Sequence, residues 1–192
     1  MSANLLMGSH LIVGGQKSGK SARAEVLTKE WLVGSSARTA VLVATAQALD
    51  DEMCSKIKRH QYDRAQKIPT MQLIEEPIHL GRVIGEQSTV NHLIVIDCLT
   101  IWLTNLLMPH PKLAAIGSEN VTAAISDLLD SVKSAPGPVI FVSNEISMGV
   151  TPMGRETRQF VDELGILNQR IAKICDQVTL MVAGVPLMIK GG

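Results

Sequence analysis

Leu11–Glu25 reads LIVGGQKSGKSARAE. An apolar strand breaks into a loop of glycines and polar residues, and a lysine, a serine and a helical pattern follow. The spacing G-x-x-x-x-G-K-[ST] is met by Gly14, Gly19, Lys20 and Ser21. Glycines let the backbone turn so that successive N–H groups face inward at an anion. The following helix points its positive end at the same place. Lys20 is placed to reach the β- and γ-phosphates, and the Ser21 hydroxyl to ligate Mg²⁺. A chain with this loop near its start is constrained to put a buried strand before it and a helix after it.

The rest of the chain repeats that alternation. Apolar runs without polar alternation occur at His10–Gly14, Ala40–Ala44, His92–Asp97, Pro138–Ser143 and Val178–Ala183. They suit strands buried on both faces of a parallel sheet. Helical patterns lie at Gly19–Val33, Asp50–Arg64, Pro77–Glu86, Leu99–Leu107, Ser118–Ser134 and Glu156–Asp176. The expectation is an α/β fold: a single P-loop NTPase-like domain over residues 1–192, with a mostly parallel sheet covered by helices. A weaker strand is expected near Met71–Glu75. Val178–Ile189 reads as two short buried strands joined by a turn at Gly184 and Pro186, and Leu187–Lys190 as an antiparallel edge at the C-terminal end. Met108–Gly117 reads as a surface loop. Strand order is not legible from these patterns.

Composition narrows the function. Hydrophobic residues make up 46%, enough for a full core, and 18 basic side chains balance 18 acidic ones. No basic surface for nucleic acid is indicated. No apolar stretch reaches the ~20 residues of a membrane span, and MSANLLMGSH lacks the pattern of a signal peptide. Cys54, Cys98 and Cys175 are scattered without metal-ligand spacing, as in a reduced, cytoplasmic protein.

Three further stretches bear on chemistry. Asp97 ends the apolar run HLIVID, where an acid can serve the metal of a phosphate site or cap the Leu99–Leu107 helix. The late strand ends in Ser143, Asn144 and Glu145, without the lysine and the spaced aspartate of the N-K-x-D pattern by which signalling GTPases read guanine. Asn144 and Glu145 suit either substrate positioning or a capping turn. In VATAQALDDEMCSKIKRHQYDR, small residues Ala44–Ala46 leave room for a ligand at a strand end. Met53, Ile57 and His60 then share one helical face, with Lys56, Arg59 and Arg64 close in sequence. His60 is either a packed histidine or a nucleophile toward phosphorus.

The segments GGQKSGKS, ATAQALDDEM, IKRH, DCLTIWLTNLL, SNEISMG and LNQRIA, in that order, resemble the bifunctional adenosylcobinamide kinase / adenosylcobinamide-phosphate guanylyltransferases of cobalamin synthesis. The likeness spans His10 to about Lys190. It implies phosphorylation of adenosylcobinamide with ATP or GTP, followed by GMP transfer from GTP to give adenosylcobinamide-GDP and pyrophosphate. It implies that His60 is the guanylylated histidine and, with Lys20, catalytic. Its nucleotide contacts fall on Gly14, Gly15, Gln16, Lys17, Ser18, Gly19, Lys20 and Ser21, on Ala44, Thr45 and Ala46, and on Gln61, Tyr62, Asp63 and Arg64. Two acids complete the set: Glu75, with Glu76 as a register neighbour, and Asp97, which with Ser21 would hold Mg²⁺. Asn168 and Gln169, on a helix, could face a subunit boundary, and the resemblance implies a trimer. Rival readings are a P-loop kinase with one of the two activities, discriminated by assaying each half-reaction, and a regulatory nucleotide-binding protein, which would form no covalent adduct.

Overall fold

The structure, a computed structural model, describes residues 8–47, 66–109 and 118–191. Its elements in chain order are β1 (Ser9–Gly14), α1 (Lys20–Val33), β2 (Thr39–Ala44), β3 (Gln72–Glu75), α2 (Leu80–Gln87), β4 (His92–Asp97), α3 (Leu99–Leu107), α4 (Ser118–Ser134), β5 (Val139–Asn144), α5 (Arg155–Ile174), β6 (Gln177–Val182) and β7 (Val185–Lys190). The strands form one seven-stranded sheet in the order β3-β2-β4-β5-β1-β6-β7. All neighbours are parallel except β6 and β7, which pair antiparallel. The expected α/β architecture and its antiparallel C-terminal edge are both present.

Each central strand sends alternate residues to opposite faces. Leu11, Val41, Val43, Ile94, Ile96 and Phe141 join the core built with α2, α3, α4 and α5. Ile12, Leu42, Val95, Ile140 and Val142 face Ala24, Leu27 and Trp31 of α1. Burial on both faces is why these strands read as continuous apolar runs. Among the described residues, no helix is long and apolar enough to cross a membrane.

Three expectations need correction. The helix expected from Pro77 begins at Leu80, because Glu76 Oε1 accepts from the amides of Ile78 and His79, both at 2.9 Å. The carboxylate turns this segment before the helix starts. Asp97 is not the cap of α3: Cys98 holds that position and makes no side-chain cap hydrogen bond. Finally, β7 is not buried. All six of its residues are exposed, since an edge strand has a neighbour on one side only.

Candidate active site

The phosphate loop connects β1 to α1, and close packing explains its glycines. A Cβ on Gly14 would stand 2.5 Å from the Met181 carbonyl oxygen and 2.6 Å from Ser18 Oγ. Gly19 precedes α1 with φ 98°, a left-handed conformation that glycine adopts without strain. Lys17 also takes a positive φ, 57°. The Ser18 amide donates to the Gly15 carbonyl at 3.2 Å, closing the loop's turn. Ser18 Oγ is buried without a hydrogen-bond partner, an orphaned donor inside an anion-shaped loop. Buried polar atoms of that kind mark a place built for a polar ligand.

Lys20 is 8% exposed. Its Nζ donates to the carbonyls of Gly14 at 3.0 Å and Gly15 at 2.7 Å. An ammonium has three donors, so these bonds pin it at the loop's base with one donor to spare. Burial lowers its pKa below the ordinary lysine value, while Cys98 and Asp97 pull the other way. Burial, reinforced by Asp97, pushes the Cys98 thiol up to about 11. That thiol is therefore protonated at neutral pH, and the charge opposing Lys20 is Asp97.

Sheet order sets the rest of the site. Ala44 of β2 stands in register with Asp97 of β4 on one side and Glu75 of β3 on the other. Gly14 pairs with Asn144 of β5. Strand ends on both sides of the loop therefore converge at one edge, where open α/β sheets bind ligands. Ser21 and Asp97 line the same small cavity. An alcohol and a carboxylate are hard oxygen donors that fit Mg²⁺, which takes few protein ligands beside phosphate oxygens. Among the described residues there is no cluster of three or more His, Cys, Asp or Glu side chains that could hold a metal alone.

Side chains at this edge divide between ligand-facing and supporting positions. Thr45 is fully buried. Its hydroxyl donates to the Cys98 carbonyl at 2.8 Å and accepts from the Cys98 amide at 2.9 Å. It sets the backbone beyond Asp97. Asn105 Nδ2 in turn donates to the Thr45 carbonyl at 2.9 Å. Glu76 is engaged with its two amides and with Arg82 at 2.8 Å, so of the two adjacent acids it is Glu75 that ends β3 beside Ala44 and is exposed. Glu145 accepts from the Ser147 amide, the behaviour of a turn. Asn168 does not face outward: it is 7% exposed, and its Nδ2 donates to the Asn144 carbonyl at 3.0 Å. His60, Gln61, Tyr62, Asp63 and Arg64 lie outside the described residues.

A family model described as cobinamide kinase / cobinamide phosphate guanyltransferase matches residues 10–189. The chain belongs to this family. It is 39% identical to the bifunctional adenosylcobalamin biosynthesis protein CobP of Pseudomonas aeruginosa, over 94% of this chain and 96% of that one. It is 33% identical to the bifunctional adenosylcobalamin biosynthesis protein CobU of Escherichia coli, over 94% and 98% respectively. Among solved structures, it is similar in fold to the flagellar accessory protein FlaH of Methanocaldococcus jannaschii. That match has a TM-score of 0.53 and 11% identity, over 95% of this chain and 78% of that one. A protein of Pyrococcus horikoshii OT3 gives 0.52 and 10%, over 95% and 86%. The family resemblance drawn from the motifs is thereby confirmed.

Two supporting groups left no motif in the sequence. Gly184, in the β6–β7 turn, donates its amide to the Ser18 carbonyl at 3.0 Å. Thr100 accepts the Asn144 amide at 2.8 Å through its hydroxyl. Both act through tertiary contact, which local spacing does not encode.

Proposed function

We propose that the chain phosphorylates the aminopropanol hydroxyl of adenosylcobinamide, with ATP or GTP as donor, and then transfers GMP from GTP to that phosphate. The observation that supports this best is the assembled cradle, with Lys20, Ser21 and Asp97 at one sheet edge, in a chain that belongs to this family over residues 10–189.

In the first step the hydroxyl oxygen attacks the γ-phosphorus. The bond to the β-phosphate's bridging oxygen breaks, the nucleoside diphosphate leaves, and the hydroxyl proton passes to solvent. The loop amides and Lys20 stabilise the charge on the phosphoryl oxygens. Ser21 and Asp97 would hold Mg²⁺, which when bound neutralises charge on the β- and γ-oxygens.

In the second step a neutral His60 nitrogen attacks the α-phosphorus of GTP. The bond to the bridging oxygen breaks, and pyrophosphate leaves against the loop amides and Lys20. An oxygen of the corrinoid phosphate then attacks the same phosphorus, the P–N bond breaks, and imidazole is restored with release of adenosylcobinamide-GDP. This role of His60 rests on the family resemblance alone. So do the nucleotide contacts of Ala44–Ala46, Gln61–Arg64 and Glu75, a cytoplasmic location and a trimeric assembly.

Incubation with GTP labelled on the α-phosphate tests the chemistry. Label is expected on the protein as a phosphoramidate, broken by mild acid and stable to base, and absent when the γ-phosphate carries it. His60→Ala should lose the adduct and guanylyl transfer while retaining phosphorylation of adenosylcobinamide. Label on another residue would falsify the covalent role of His60.

A further inference from the structure

Beyond β5 the chain leaves the phosphate edge and returns along α5, and between them lies a cleft of about 480 Å³, within the range of small-molecule sites. One wall is the segment 146–152. The other is a stripe of α5, with Arg158, Asp162, Ile166 and Gln169 on neighbouring turns. The cleft adjoins the cradle. The Glu145 amide donates to the Gly14 carbonyl at 3.0 Å, and Asn168, next to Gln169, holds the Asn144 carbonyl. Asn168 Oδ1 is buried there without a hydrogen bond. Arg158 Nη1 donates to the carbonyls of Pro152 and Met153, so the loop wall is tied to the helix.

Its chemistry differs from that of the cradle. Exposed apolar side chains line and flank it: Val150, 96% exposed, and Ile166, 51%, are in its walls, and Met148 at 76% and Met153 at 94% lie beside them in the chain. Phosphates have no use for such a surface. Interleaved with it are Thr151, Asp162 and Gln169, groups that accept from or donate to a primary amide. A flat apolar ring fringed with methyl and amide groups matches that mixture, and cobinamide is such a molecule.

We propose that this cleft seats one amide-fringed edge of the corrinoid and directs its hydroxyl-bearing arm along Glu145 and Asn144 to the cradle. The cleft is too small to enclose a whole corrin ring, so the remainder lies over the exposed Met148, Val150 and Met153. The proposal rests on the function argued above and assigns the acceptor site within it. Asp162 and Gln169 are the residues that fix which edge of the ring enters.

Equilibrium dialysis of adenosylcobinamide, read by corrinoid absorbance, tests it, with GTP titration and sedimentation velocity alongside. Asp162→Ala and Gln169→Ala should each weaken adenosylcobinamide binding roughly tenfold, as for one lost polar contact in a partly enclosed site, and Val150→Asp should weaken it as well. The Kd for GTP should stay that of the wild-type protein, because the cradle is built from other strands. The double variant Asp162→Ala/Gln169→Ala binding adenosylcobinamide within twofold of wild type would overturn the assignment. So would a changed oligomeric state with unchanged corrinoid affinity, which makes the cleft a contact between copies. Wild-type protein that neither binds nor phosphorylates adenosylcobinamide would instead sink the functional reading itself, and the site with it.

Discussion

The Gly184 amide donates to the Ser18 carbonyl at 3.0 Å, so the turn of the C-terminal hairpin holds the phosphate loop near the other end of the chain. The contact follows from sheet order. β6 lies beside β1, Gly14 pairs with Met181, and the next turn of chain passes over Gly19. A Cβ on Gly19 would stand 3.2 Å from the Gly184 Cα. A turn at the sheet's C-terminal edge, between the half-buried β6 and the exposed β7, thus has a part in shaping the cradle.

Gly184 has φ 84° and open space around a would-be Cβ, so conformation rather than room selects glycine. Gly184→Val should cost about 1–2 kcal/mol, because a β-branched residue resists the left-handed region. It should also weaken GTP binding severalfold by moving the turn. Gly184→Asn should lose less of both, since asparagine tolerates positive φ. Urea unfolding and GTP titration give the two readouts. A valine variant with reduced stability and unaltered GTP affinity would show that the turn does not support the loop.

Thr45 should prove to be a positioning residue. Thr45→Val keeps the shape and removes the hydroxyl that bonds both the amide and the carbonyl of Cys98. The Cys98 carbonyl still accepts from the Trp102 amide at 3.1 Å, so the Cys98 amide is the group left without its partner, which should cost about 1–3 kcal/mol. Thr45→Ser should restore stability. If the valine variant melted like wild type, the two bonds would contribute nothing.

What was legible in the sequence, and what was not, follows from how local each signal is. The phosphate loop and the strands around it were readable because the glycine spacing and the apolar runs are local. Sheet order was not, because the insertion of β5 between β1 and β4 leaves no mark on either strand. Asn168 was misread although a signal existed: Leu164, Leu167, Asn168 and Ile171 form one buried stripe of α5, so an asparagine in that register points inward. The choice between Glu75 and Glu76 needed the turn at Ile78 and His79, which depends on where α2 begins. For β7, hydropathy suggested burial, but an edge strand can be apolar and exposed. Its Lys190 instead reaches the last carbonyls of α5, among them Ala172 at 3.1 Å and Lys173 at 3.2 Å.

Stability should depend on pH through His10. The ring is 1% exposed, with Nε2 2.8 Å from Thr179 Oγ1. Burial, and then the charge of Arg23, lowers its pKa from 6.5 to about 4. Between those values the unfolded chain binds a proton that the folded protein refuses. Stability therefore rises with pH across that window and is independent of this group above it. The full effect is about 3 kcal/mol. Burial lowers the pKa of His92 as well, which adds in the same direction. Unfolding in urea at pH 5 and pH 7.5 should differ accordingly, and His10→Gln should flatten the difference. An equal slope in the variant would place the acid sensitivity elsewhere.

Lys20 and Asp97 should separate by their response to metal. Lys20→Ala removes the ammonium pinned beneath the loop, and both half-reactions should fall by about 2–4 kcal/mol at any Mg²⁺ concentration. Asp97→Asn should act differently. If its carboxylate serves the metal beside Ser21, the variant needs more Mg²⁺ for half-maximal activity, and excess metal recovers part of the rate. Direct titration with Mn²⁺ in the presence of GTP, followed by electron spin resonance, should show weaker binding without reference to turnover. The same variant removes a charge that raises the Lys20 pKa. The alkaline limb of GTP binding should therefore move to lower pH, which a purely structural role for Asp97 would not produce. An unchanged Mn²⁺ affinity together with an unchanged alkaline limb would remove Asp97 from the site and leave Lys20 and the loop amides as its only described anchors for the phosphates.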